Sequence, residues 1–163
     1  AAGADATVVL PEYRYDGDTY KGVSLVQVAA LHGHVEVVGP LVRAGAHLDH
    51  QTTDWHYKGS TALHLTVRHH DHPEMLRQLA ALGLNVDTTN ERGYTALHWA
   101  ARWGRAGCVE ALLQLDSPPN LDKRNNAGNT PLMVAKKKHA GECMRILISA
   151  GADASFNLNE FVK

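Results

Sequence analysis

The chain has 163 residues, 44% of them hydrophobic, with 16 Lys and Arg against 17 Asp and Glu for a formal net charge of −1. That length supports one elongated core, and the balanced charge provides no overall field to recruit nucleic acid or a membrane surface. No apolar run approaches the roughly 20 residues needed to span a bilayer, and no signal peptide is visible, although the chain begins at Ala1 without Met, as an excised fragment would.

Residues 1–21 read as an irregular N-terminal cap or the remnant of a preceding repeat, because Ala2 to Asp5 match a closing turn that recurs later. Pro11, Gly17 and scattered charges interrupt Leu10 to Tyr20, where at most one helical turn is expected. From Gly22 the chain becomes self-similar. The layout of GVSLVQVAALHGH, ending at His34, returns from Gly59 as GSTALHLTV, from Gly93 as GYTALHWAARWGR and from Gly128 as GNTPLMVA. These openings lie 37, 34 and 35 residues apart (22 to 59, 59 to 93, 93 to 128). Three units close on a second apolar stripe and a turn, at Ala44 to Asp49, Leu82 to Asp87 and Ala150 to Asp153.

The third unit shows the local logic best. Thr95 is a good N-cap, Leu97 and Ala100–Ala101 give the first helix its apolar side, and Gly104 stops it. Val109, Leu112 and Leu113 form the i, i+3, i+4 stripe of a second helix. Helices this short are marginal alone, since isolated ones below about 12–15 residues do not persist in water, so the units must stack. In the first unit Gly39–Pro40 falls inside the second helix, where a kink or a late start is expected. In the second, Pro73 suits a first helical turn, with Asp71 upstream as its possible cap.

The recurring pattern G-x-T-A/P-L-H-x-A-A-x-x-G-H, followed by V-V-x-x-L-L-x-x-G-A-D, resembles the ankyrin repeat, whose period is about 33 residues. The resemblance runs from Gly22 to Asp153 and implies an all-α solenoid of stacked helix-turn-helix units with hairpin-like connecting loops. Four repeats would occupy residues 22–58, 59–92, 93–127 and 128–154, with 155–163 as a C-terminal tail. Repeat one carries Ser24 to Gln27 in place of T-P-L-H, repeat four has Met133 where His is usual, and Asp116 to Pro119 replaces one G-A-D turn. Lys136 takes the place of Ala30 and Ala101, which suits a terminal repeat whose outer face meets water; the tail, with Phe156, Leu158 and Phe161, is expected to fold back over that face. Cys108 and Cys143 are equivalent positions in adjacent repeats, roughly 8–10 Å apart by helix packing. That exceeds the ~7 Å reach of a disulfide, so both are expected as core thiols in a reducing compartment. His64 and His98, the H of the T-A-L-H pattern, are expected to bond nearby backbone.

The resemblance also implies where a partner would bind. In the ankyrin fold the two residues before the inter-helix glycine face a concave groove, and those flanking the first glycine form fingertips, here Arg92 and Tyr94. The groove pairs are Leu31–His32, Arg68–His69, Arg102–Trp103 and Lys137–Lys138, a cationic row with one tryptophan. Acidic residues fall elsewhere: Glu36, Glu74, Glu110 and Glu142 on the second helices, Asp49, Asp87 and Asp122 in turns. The alternative is that these cations are ordinary solvated helix positions. The insertion Gln51 to Lys58 adds Trp55 and Tyr57, which either project as interface anchors or fold down on the neighbouring hairpin. The cluster His69 to His72 reads as a solvated turn, because consecutive residues cannot all face one ion and no further ligand has zinc-site spacing.

No phosphate-binding loop, Cys–His–Asp arrangement or paired carboxylates emerge, so neither a catalytic residue nor a cofactor is expected. The expected function is a non-catalytic module that binds another protein, through an acidic segment with an apolar anchor, and neither nucleic acid nor membrane. Its expected location is cytoplasmic or nuclear. Two alternatives stay open. The loop before Gly59, with Leu84 to Thr89, loosely resembles inhibitors of Rel-type transcription factors, which mask their targets. The array could equally be the targeting domain excised from a larger enzyme.

Overall fold

The computed structural model describes residues 5–155. Two antiparallel strands, β1 (Val9–Tyr15) and β2 (Asp18–Ser24), precede eight helices: α1 (Leu25–His32), α2 (Val35–Arg43), α3 (Ala62–His69), α4 (Pro73–Ala81), α5 (Ala96–Trp103), α6 (Ala106–Leu113), α7 (Pro131–Lys137) and α8 (Gly141–Ser149). The helices form four antiparallel pairs. Helices α1, α3, α5 and α7 stack in one layer, and α2, α4, α6 and α8 in the other. One core runs the length of the array, with Leu63, Leu65, Leu76, Leu79, Leu97, Leu112, Leu132 and Leu147 fully buried.

Hydrogen bonds tie each repeat to the next where the short helices begin. His64 Nδ1 accepts the Thr61 N–H at 3.2 Å, and its Nε2–H donates to the Tyr94 carbonyl at 2.8 Å. His98 repeats this with Thr95 and, one unit on, the Asn129 carbonyl at 3.0 Å. In repeat one Gln27 does the same work, accepting the Ser24 N–H and donating to the carbonyls of His50 and Ser60. The departure at Ser24 to Gln27 therefore preserves the tie. Turn aspartates add a second one, Asp87 accepting from Asn120 N–H and Asp122 from Asp153 N–H. The fingertips stack through backbone bonds from Glu91 N–H to the Lys58 carbonyl and from Asn126 N–H to the Arg92 carbonyl. That close approach requires glycine: at Gly93 φ is +73°, and an added Cβ would lie 2.7 Å from the Asn126 nitrogen.

Four expectations change. The stretch Leu10 to Tyr20 is a regular hairpin, not an irregular cap, so the fold is a helical solenoid carrying a small sheet and not strictly all-α. Asp16 (φ +48°) and Gly17 (φ +82°) form the two-residue turn between two aromatic-bearing runs, the positive-φ pair that a hairpin's twist favours. Pro11 is accommodated because β1 has a neighbour on one side only. Helix α2 begins at Val35 and runs through Pro40 to Arg43, so there is no late start; Pro40, the sixth of its nine residues, is exposed and forgoes the interior bond to the Glu36 carbonyl. Asp71 does not cap its own helix α4. Its carboxylate accepts the Gly107 and Cys108 N–H groups at 3.0 and 2.7 Å, capping α6 of the next repeat.

Cys108 and Cys143 are free and buried, and burial pushes both thiols up, Cys143 to about 11, so neither is a thiolate near neutral pH. Lys136 is half-buried in α7. The expected fold-back of residues 156–163 lies outside the described residues.

Candidate protein-binding site

The groove pairs sit at the C-terminal ends of the first-layer helices, and the hairpin lies across the first two of them. Tyr13 Oη is 2.6 Å from His32 Nε2, and Tyr15 Oη is 2.9 Å from His70 Nε2. Asp18 pairs with Arg68 at 2.6 Å, and Asp16 accepts a hydrogen bond from His69 Nδ1 at 3.0 Å. With Nδ1 donating, neutral His69 uses Nε2 to accept from the Tyr20 hydroxyl at 2.5 Å. Burial, helped by the neighbouring Arg68 charge, lowers the His69 pKa, while Asp16 and Asp18 oppose it. Burial pushes the Tyr20 and Tyr57 hydroxyls up, so both remain proton donors.

His32, Arg68 and His69, all expected partner-binding residues, are thus hydrogen-bonded or paired with the hairpin. The acids are not confined to second helices and turns, since Asp16 and Asp18 enter the groove from the hairpin. Tyr13, Tyr15, Asp16, Asp18 and Tyr20 were not among the expected site residues. Their sequence signal was Asp16–Gly17 between two alternating runs, which Pro11 obscured.

Beyond the hairpin a ladder of rings and cations continues. Tyr20 packs against Tyr57 at 4.9 Å between centroids with the rings tilted by 32°, and the Arg68 guanidinium lies 5.5 Å from Tyr57 and 4.3 Å from Trp103. Arg102 approaches the other end of this ladder, 5.3 Å from Trp103. The row closes a cleft of about 240 Å³ lined by Tyr57, Arg68, Arg92, Tyr94, Trp99, Arg102 and Trp103, with His56 and Asn90. Trp99, inside the repeated helix motif, is almost fully buried and presents an edge to Tyr57 at 5.8 Å. Trp103 is 37% exposed. The fingertip that frames the cleft is set by Asn90, whose Oδ1 accepts the Arg92 and Tyr94 N–H groups at 3.0 Å.

The inserted loop resolves in two directions. Tyr57 folds inward, its N–H donating to Asp54 and its hydroxyl accepting from Arg68. Trp55 stays outside, 84% exposed. At the far end Lys137 Nζ donates to Asn129 Oδ1 at 2.8 Å, and Lys138 is exposed. Among the described residues no group of three or more His, Cys, Asp or Glu could hold a metal ion, and no helix is long and apolar enough to cross a membrane.

This architecture has counterparts. The E3 ubiquitin-protein ligase XBAT33 of Arabidopsis thaliana is 34% identical over 137 residues, covering 83% of this chain and 25% of that protein. Human B-cell lymphoma 3 protein is 31% identical over 140 residues, covering 85% and 30%. The nuclear factor NF-kappa-B p105 subunit of Mus musculus is 29% identical over 136 residues, covering 81% and 13%. The last two accord with the likeness to inhibitors of Rel-type transcription factors read from the loop before Gly59. The chain spans less than a third of each relative. The family model described as ankyrin repeats (3 copies) matches residues 25–122 and again 86–160, a span containing all four helix pairs. With its stacked pairs, its His and Gln ties and its glycine-hinged fingertips, the chain belongs to the ankyrin-repeat family.

Proposed function

We propose that this array, divided into repeats near residues 22–58, 59–92, 93–127 and 128–154, is a non-catalytic module that binds an acidic segment of another protein. The contact surface is the part of the groove beyond the hairpin, formed by Arg102, Trp103, Lys137 and Lys138, with Arg92, Tyr94 and Trp55 contributing from the fingertips. The observation that carries this reading is Trp103, a large ring held half in solvent between two arginines, the residue types that dominate interface energetics. The cations steer association and the ring slows dissociation.

The test is a photo-crosslinking residue placed at Trp103 or at Glu110 on the second-helix face. Capture of a protein from the first site and not the second is expected, and Trp103→Ala then weakens its binding by about 2 kcal/mol with stability little changed. A partner captured at Glu110 alone, or one indifferent to Trp103→Ala, rejects the groove.

The relatives favour two narrower forms of the same reading. Identity with B-cell lymphoma 3 protein and the p105 subunit supports a transcription factor as the masked partner, in the cytoplasm or nucleus. Coverage of a quarter of a ubiquitin ligase supports a targeting domain within a larger enzyme. Binding of a Rel-type dimer to the isolated array separates them.

A further inference from the structure

Resting on the groove reading above, we infer that the hairpin displays the ligand chemistry of this groove, and that the cleft at Arg102 and Trp103 takes an extended partner segment presenting a carboxylate and an aromatic ring two residues apart. The template is Asp18-Thr19-Tyr20. In a strand, residues i and i+2 share a face, so β2 delivers Asp18 and Tyr20 together. The carboxylate reaches Arg68, the ring packs against Tyr57, and the hydroxyl reaches His69. One repeat further on, Arg102 and Trp103 end α5 as Arg68 and His69 end α3, and Arg92 joins them from the fingertip.

What differs is the anion. Asp18 neutralises Arg68, whereas among the described residues neither Arg92 nor Arg102 has a carboxylate partner. Asp16 and Asp18 are both committed to repeat two, and Glu12 pairs with Arg14 inside β1, so the hairpin sends no further acid along the row. The next step of the groove is therefore charged, ring-lined and uncompensated. Its volume of about 240 Å³ falls below the ~300–1,000 Å³ of small-molecule sites and suits the aromatic ring of such a segment, with the carboxylate meeting the arginines of its wall. A guanidinium pair beside exposed rings could also stack a single-stranded nucleic acid. The net charge of −1 weighs against a polyanion.

The experiment titrates the 163-residue chain with four probes: a Gly/Ser-flanked peptide with an Asp-Thr-Tyr centre, the same peptide as Asn-Thr-Tyr, the permuted Asp-Tyr-Thr, and oligo(dT). Binding is read from the indole N–H signals of the three tryptophans. The Asp-Thr-Tyr peptide is expected to move Trp103 and Trp99 and leave Trp55 in place. The Asn and permuted peptides should bind about tenfold more weakly, and Arg102→Ala, with its circular dichroism unchanged, should weaken the first peptide by a similar factor. Equal binding of all three peptides, binding of none, or displacement of the hairpin signals of Tyr20 with Trp103 unmoved overturns the inference. Tighter binding of oligo(dT) than of any peptide overturns it as well. Should none of the peptides bind while Trp103→Ala still releases a crosslinked partner, the ligand chemistry is wrong and the groove reading stands.

Discussion

Protonating His64 would set a new N–H at Nδ1 against the Thr61 N–H that this atom now accepts. Burial disfavours the charge independently, by stripping its hydration, and lowers the His64 pKa from its ordinary 6.5 to about 4. Burial lowers His98 in the same direction. In the pH window between these values the unfolded chain binds a proton that the folded chain refuses, so stability is full above pH 6.5 and falls as pH drops toward 4. For His64 the loss by pH 4.5 is about 2–3 kcal/mol, at 1.36 kcal/mol per pH unit. Gln27 shows how to remove the effect without removing the tie, because an amide offers the same acceptor and donor with nothing to titrate. Urea unfolding of His64→Gln should therefore lose less stability between pH 7.5 and 4.5 than the parent chain by about that amount. Equal slopes for the two proteins would mean that His64 titrates normally.

Among the elements, the turns between paired helices show where sequence and backbone disagree. Gly33 and Gly104 end their helices in left-handed conformation, and the equivalent residue of repeat four is His139, at φ +56°. A side chain there costs about 1 kcal/mol in backbone strain, and His139 is exposed, so nothing offsets it. His139→Gly should raise the thermal midpoint by about 2–4 °C. His70 holds the same place in repeat two with φ −131° and a hydrogen bond to Tyr15, so His70→Gly should bring no such gain. This contrast also marks what the sequence could yield. Helix positions were legible because the N-cap, the apolar stripe and the glycine stop recur in phase, and a repeated signal outweighs local noise. The hairpin occurs once. Its Asp16–Gly17 turn competed with Pro11, and a single occurrence gave no second copy to decide between them. The site was legible by halves for the same reason: repeat positions located Arg68, Arg102 and Trp103, while nothing periodic could reveal that Asp18 and Tyr20 already cover the first of these. The exposed Trp55 and folded Tyr57 lie in an insertion with no counterpart in other repeats, so their directions came only with the structure.

At the scale of the whole molecule, stability is carried along one dimension. Each helix pair touches the next through the core, the His or Gln tie, the turn aspartates and the fingertip backbone, and Asp71 reaches from repeat two to cap α6 in repeat three. Such a chain of neighbours melts together when the interfaces are strong relative to the single units, and separates when one interface is weakened enough. Helices of seven to nine residues have little stability of their own, which places this array in the first regime. Leu97 is the place to test it. It is fully buried in α5, the helix that packs on both α3 and α7, so a cavity there weakens the third repeat's contacts in both directions. Leu97→Ala should cost about 2–5 kcal/mol, and the loss should appear as an earlier but still single unfolding transition. Signals on opposite sides of the lesion make the point visible: the buried Tyr20 in β2 and Cys143 in α8 should report the same midpoint, the one by its ring NMR signal and the other by thiol labelling. If Cys143 becomes reactive while the Tyr20 ring signal is still native, repeat four has parted from the array, and the coupling through α5 is weaker than its contacts imply.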